Sequence, residues 1–205
     1  MAEPAQTDAP DTDPAVVGPR DAAWTHYRHE RAMAGADLAL QAIATVGDHG
    51  ELWFVHACCL ERAGRLHAAD HAFCRARRAQ RFPVGLPCRV GWPRFRRSVD
   101  RAIDALPPRL RAALAEVSLI LADYAEPVLL QGFEEPELFG LFTGETRADR
   151  AYGAISPRVY VWRRAHEHAV ATLREFDAEV KQTLWHELGH YLGYDEDELD
   201  DLGRG

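Results

Sequence analysis

The residues best suited to chemistry lie near the end of the chain, in Thr183-Leu-Trp-His-Glu-Leu-Gly-His-Tyr-Leu-Gly-Tyr-Asp-Glu196. On an α-helix His186 and His190, four positions apart, project from one face and can hold one metal ion from two directions. Glu187 is rotated by about 100° from His186 on a helix of 3.6 residues per turn. There a carboxylate reaches a water on the metal instead of the metal itself, the place of a general base. Gly193 offers the left-handed conformation that ends a helix, so the chain can double back and bring an acidic third ligand to the ion. Glu196 is best spaced for this, and Asp195 serves if the turn is one residue tighter. Two imidazoles and one carboxylate leave zinc a fourth position for water, as a catalytic site requires.

Such a site needs a helix that exists before any metal binds. Thr172 followed three residues later by Glu175 is a capping box, and Leu173, Phe176, Val180, Leu184, Leu188 and Leu192 run down one face at steps of three or four. The histidines fall beside that stripe, at the border between core and solvent. The apolar runs 117–122, 138–143 and 159–162 read as strands of a three-stranded sheet with some antiparallel pairing. Before them, Phe95, Val99, Ala102, Ile103 and Leu106 form a helical stripe ended by Pro107-Pro108, and a short helix follows at 109–115.

The first half reads differently. Residues 1–19, rich in Pro, Asp, Ala and Thr, are expected to form a disordered tail. Residues 20–81 carry helical periodicity punctuated at Gly35, at 47–50 and at Gly64. Trp53, Ala57, Leu60, Gly64, Ala69, Phe73 and Ala76 resemble one tetratricopeptide (TPR) repeat. His56 departs from that pattern, and a plain helical hairpin is the competing reading. The resemblance implies a TPR-like region able to bind a protein partner. Residues 82–93, with three prolines and two glycines, read as a linker, and residues 94–205 as one domain.

From about residue 95 to 203 the chain resembles a small bacterial family of minimal zincin-like metallopeptidases. The likeness rests on a helix, an ALPP break, a strand, LFGLFTG, VYVWRR and then TLWHELGHYLGYDEDEL, with the pattern HExxHxxGxxE. It implies an α+β fold, Zn2+ as cofactor on His186 and His190, Glu187 as base, and an acidic ligand past the glycine. Metzincins, which have histidine at the position of Glu196, rest the metal on a methionine turn. Here only Met1 and Met33 occur, so any floor comes from elsewhere, with Leu199 and Leu202 as candidates. Tyr152, Tyr160, Tyr194 and His166 are the candidate donors to a developing oxyanion. By analogy with zincins, 138–143 is a candidate edge for an extended peptide substrate.

Composition narrows the surroundings. A net charge of −8 argues against nucleic acid, which calls for a basic face. The arginines between Arg75 and Arg101 read as a solvated face. No apolar run is long enough to span a bilayer and no signal peptide is recognisable, so cytoplasmic location without membrane contact is expected. Cys58, Cys59, Cys74 and Cys88 lack metal-site spacing and read as reduced thiols. Three functions fit: a zinc peptidase, a catalytically weak zincin-domain scaffold whose helices bind a partner, and a non-peptide metal hydrolase. An intact Glu187 favours the enzymes, because a structural site has no use for a base.

Overall fold

A computed structural model describes residues 11–149, 156–195 and 198–199. The fold is α+β, with helices through the first half and a small mixed sheet in the second. Two compact units divide the chain: Met1–Pro87 with Glu126–Pro136, and Cys88–Ala125 with Glu137–Gly205.

The first unit is built on α1 (Pro14–Arg28), α2 (Ala32–Val46), α3 (Gly50–Arg62) and α4 (Leu66–Arg78), each packed on the next. The helix α1 begins inside the segment 1–19 read as disordered. Asp13 accepts a hydrogen bond from the Ala15 N–H, Pro14 stands in the first turn where a missing N–H costs nothing, and Val16 is fully buried. The composition of the tail hid the Val16 anchor; residues 1–10 lie outside those described. Gly35, read as a break, lies inside α2 instead. A Cβ there would stand 2.8 Å from Ala23 O and 2.9 Å from Cys59 Sγ, so the glycine permits close helix packing. The chain reverses earlier, at Glu30, whose φ is 57°. Residues 126–136, with a 3-10 turn at Pro127–Leu130, also belong to this unit: Arg28 donates to the carbonyls of Leu130, Phe133 and Glu134. The reading of 94–205 as one uninterrupted domain had no signal for that excursion.

In the second unit α5 (Trp92–Asp104), α6 (Pro108–Leu114), α7 (Arg163–Ala169) and α8 (Leu173–Leu192) accompany β1 (Ser118–Ala122), β2 (Gly140–Thr143) and β3 (Arg158–Trp162). The strand order is β1-β3-β2, with β1 parallel and β2 antiparallel to β3. Val159 and Val161 share a core with Phe176, Val180, Leu184 and Leu188 of α8 and with Phe95 and Val99 of α5. Full burial of such side chains stabilises by roughly 1.5–3 kcal/mol each, which fixes α8 on that sheet face. The carboxylate of Asp177 on α8 adds ion pairs at 2.7 Å to both Arg94 and Arg101 of α5.

Part of the segment read as linker is held firmly. Glu167, wholly buried on α7, accepts from the Val90 N–H at 2.9 Å and from Arg164 at 2.6 Å, while the Cys88 N–H donates to the carbonyls of Glu167 and Val170. Arg163 donates to Val90 O and pairs with Asp123. A buried carboxylate needs such partners, and here they come from Arg89 and Val90 as well as from Arg164. Cys58, Cys59 and Cys88 are buried and Cys74 is exposed, and none of the four is in a disulfide. Among the described residues no helix is long and apolar enough to cross a membrane.

Candidate metal centre

The helix α8 starts at the capping box. Thr172 Oγ accepts from the Glu175 N–H at 3.2 Å, and Glu175 Oε2 accepts from the Thr172 N–H at 3.0 Å. It ends at Gly193, whose φ of 85° and ψ of 20° are left-handed; the N–H of Gly193 and that of Tyr194 close onto the carbonyls of His190 and Gly189.

Between these ends His186 and His190 are half-buried, with ring centroids 4.5 Å apart and planes at 89°. Their Nε2 atoms approach to 2.9 Å. At a zinc–nitrogen distance of about 2.0–2.1 Å, nitrogens 2.9 Å apart subtend about 90° at the ion, and opening them by about 0.4 Å makes the angle tetrahedral. The pair therefore fits a metal as two of its ligands. Among the described residues no third His, Cys, Asp or Glu gathers with them. Glu196 lies outside the described residues.

Glu187 points inward, 7% exposed, and its Oε2 accepts from the Phe142 N–H of β2 at 2.6 Å. Gly140 makes this approach feasible, since a Cβ there would stand 2.6 Å from Thr183 Cγ2, 2.9 Å from Glu187 Cγ and 2.9 Å from Tyr160 O. Gly189 plays a similar part on another face of α8, where a Cβ would collide with Leu199 Cδ2. Leu199 is 4% exposed, so the chain beyond the turn packs back onto the helix between the two histidines in sequence. Asp195 and Glu198 form a reciprocal cap in that return: the Asp195 N–H donates to Glu198 Oε2 at 3.1 Å and the Glu198 N–H to Asp195 Oδ1 at 3.0 Å. Sequence reasoning passed over Gly140 and Gly189. The signal was present, because a glycine inside a strand or helix weakens it unless close packing demands one.

The four candidate oxyanion donors separate. His166 is fully buried, bonded through Nδ1 to Trp162 O at 2.6 Å and through Nε2 to Thr183 Oγ1 at 3.0 Å. Burial pushes its pKa down to about 4, so the ring is neutral and belongs to the core beneath α8. Tyr160 alternates with Val159 and Val161, which face α8, so it lies on the opposite sheet face, stacked with Trp162. Tyr152 is outside the described residues. Tyr194, half-buried just past Gly193, lines a cavity of about 580 Å³ with Leu192, Arg109 and Arg147. Beside it the Tyr191 hydroxyl donates to Glu116 at 2.7 Å, Glu116 pairs with Arg147 at 2.7 Å, and the Arg147 N–H donates to Tyr191 O. These bonds hold the loop after β2 against the end of α8.

Comparison with curated proteins gave no match. Residues 114–205, which contain all three strands, α7 and α8, match the family model of zincin-like metallopeptidases, and the C-terminal part of the chain is thus a zincin-like domain.

Proposed function

We propose that the protein is a zinc-dependent metallopeptidase, with His186, His190 and Glu196 as metal ligands, Glu187 as general base, and a peptide or protein as substrate. The observation that carries this is the convergence of the two Nε2 atoms at 2.9 Å beside a buried carboxylate held against β2. Zinc, when bound, supplies a Lewis acid for the peptide carbonyl and lowers the pKa of a water towards about 7. Glu187 receives the proton from the attacking water and returns it to the departing amine, and the Phe142 N–H keeps its carboxylate oriented meanwhile. A substrate strand lies along β2, which pairs with β3 on its other side. Asp195 and Glu198 are occupied in capping each other's turn, which favours Glu196 over Asp195 as the third ligand. The test is metal content together with peptide-library hydrolysis for wild type and Glu187→Gln. Equal hydrolysis by the two proteins would overturn the assignment.

A protein partner for α1–α4 is the second element of this reading. A cavity of about 590 Å³ in the first unit is lined by Trp24, Phe54 and Val84 together with Arg20, Asp21, Glu51 and Glu134. Peptides selected from a display library on the full chain are expected to lose binding in Trp24→Ala. Should wild type bind such peptides and hydrolyse none, the catalytically weak scaffold is the better description.

A further inference from the structure

A second histidine pair shares the ring arrangement of the first. His67 and His71 stand four residues apart on α4, with ring centroids 4.6 Å apart and planes at 86°, against 4.5 Å and 89° for His186 and His190. Spacing of four on a helix brings both imidazoles to one face, and perpendicular rings at this distance can turn two nitrogens towards one point. Two features separate the pairs. His67 and His71 are both exposed, whereas His186 and His190 are half-buried. Ala68 follows His67 where Glu187 follows His186, so no base accompanies the second pair. No third His, Cys, Asp or Glu joins it among the described residues.

We propose that His67 and His71 form a second metal site, one that binds a divalent transition ion through two imidazoles and leaves its other coordination positions to water. The chemistry selects borderline ions with a taste for nitrogen, in the order Co2+ below Ni2+ below Cu2+, with Zn2+ weaker than Cu2+. Calcium and magnesium, which demand oxygen donors, are excluded. With only two protein ligands, the site is weaker than that on α8 and loads after it. Its role is metal binding without hydrolysis, since neither a base nor a buried cleft accompanies the histidines. The residues of this site are separate from those on α8, and binding that persists in His186→Ala/His190→Ala protein distinguishes its failure from failure of the peptidase reading.

The test uses the full chain in a Cys74→Ala background, since the exposed Cys74 thiol lies on the same helix and is itself a metal donor. Protein first saturated at its tighter site with Zn2+ is titrated calorimetrically with further Zn2+, and separately with Ni2+ and Mg2+. A second binding event is expected with Zn2+ and Ni2+ and none with Mg2+. It should vanish in His67→Ala/His71→Ala and persist in His186→Ala/His190→Ala. A variant that keeps two histidines but breaks the spacing, Ala68→His with His71→Ala, should also lose it. The substitutions at 67, 68 and 71 fall on exposed helix positions, where an exchange between alanine and histidine costs little. Circular dichroism identical to wild type will show that folding is intact. A second event that survives loss of His67 and His71, or the lack of any second event in the parent, overturns the proposal.

Discussion

Glu187 Oε2 accepts a hydrogen bond of 2.6 Å from the backbone N–H of Phe142. A carboxylate one residue past His186 is thereby tied to the edge strand, and Gly140 is what lets helix and strand come so close. Glu187→Gln keeps an oxygen for the Phe142 N–H but no longer a base. Hydrolysis is expected to fall by about 10²- to 10⁴-fold with metal content unchanged. Metal analysis alongside the peptide assay checks this, and loss of the metal in that variant would make Glu187 a ligand.

Of the two candidate ligands after Gly193, Asp195 is engaged with Glu198, each carboxylate accepting from the other's backbone N–H. Glu196→Ala is expected to reduce zinc affinity greatly, and Asp195→Ala and Glu198→Ala only slightly. Competition with a chelating dye measures all three. Equal small losses would return the whole run to the status of a solvated segment.

Gly189→Ala should act on the metal without touching a ligand. Its methyl group would collide with Leu199 Cδ2, so the buried Leu199 side chain has to turn aside and its packing on α8 is disturbed. Overpacking of this kind costs typically 1–3 kcal/mol, and zinc affinity should drop with it. Leu199→Ala removes the colliding atoms. The double variant should therefore recover part of the affinity lost in Gly189→Ala, and a strictly additive double-mutant cycle would show that the contact is not the cause.

His166 predicts a definite pH dependence. Its pKa is near 6.5 in the unfolded chain and about 4 in the folded one, because burial disfavours the charged ring. The unfolded state thus binds the proton more readily, so this contribution is complete above pH 6.5 and is lost as the pH falls from 6.5 to 4. Its size is at most about 3 kcal/mol. Denaturant midpoints across that range should fall less steeply in His166→Gln, whose amide can serve both Trp162 O and Thr183 Oγ1 without titrating. A parallel fall in the two proteins would count against it.

What the sequence determined by itself is what local chemistry dictates. Thr172, Glu175 and Gly193 set the ends of α8, and the apolar stripe set its buried face, because caps and periodicity act within a few residues. With those limits, His186 and His190 had to emerge side by side, and three short apolar runs became strands close to where they were read. Tertiary structure decided the rest. Only the strand order puts β3 at the centre and β2 at the edge beside Glu187. His166, read as a candidate at the reaction centre, is instead core, because its partners Trp162 O and Thr183 come together only when α7 meets α8. The helix α7 itself went unread behind the β-rich run before it. Residues 126–136 pack with the first unit because Arg28, about a hundred positions away in the chain, supplies donors for their carbonyls. Gly35, Gly140 and Gly189 look like breaks or weak points in one dimension; in three they are places where a neighbouring backbone or side chain occupies the space a Cβ would take, and no spacing rule along the chain can say which neighbour will arrive.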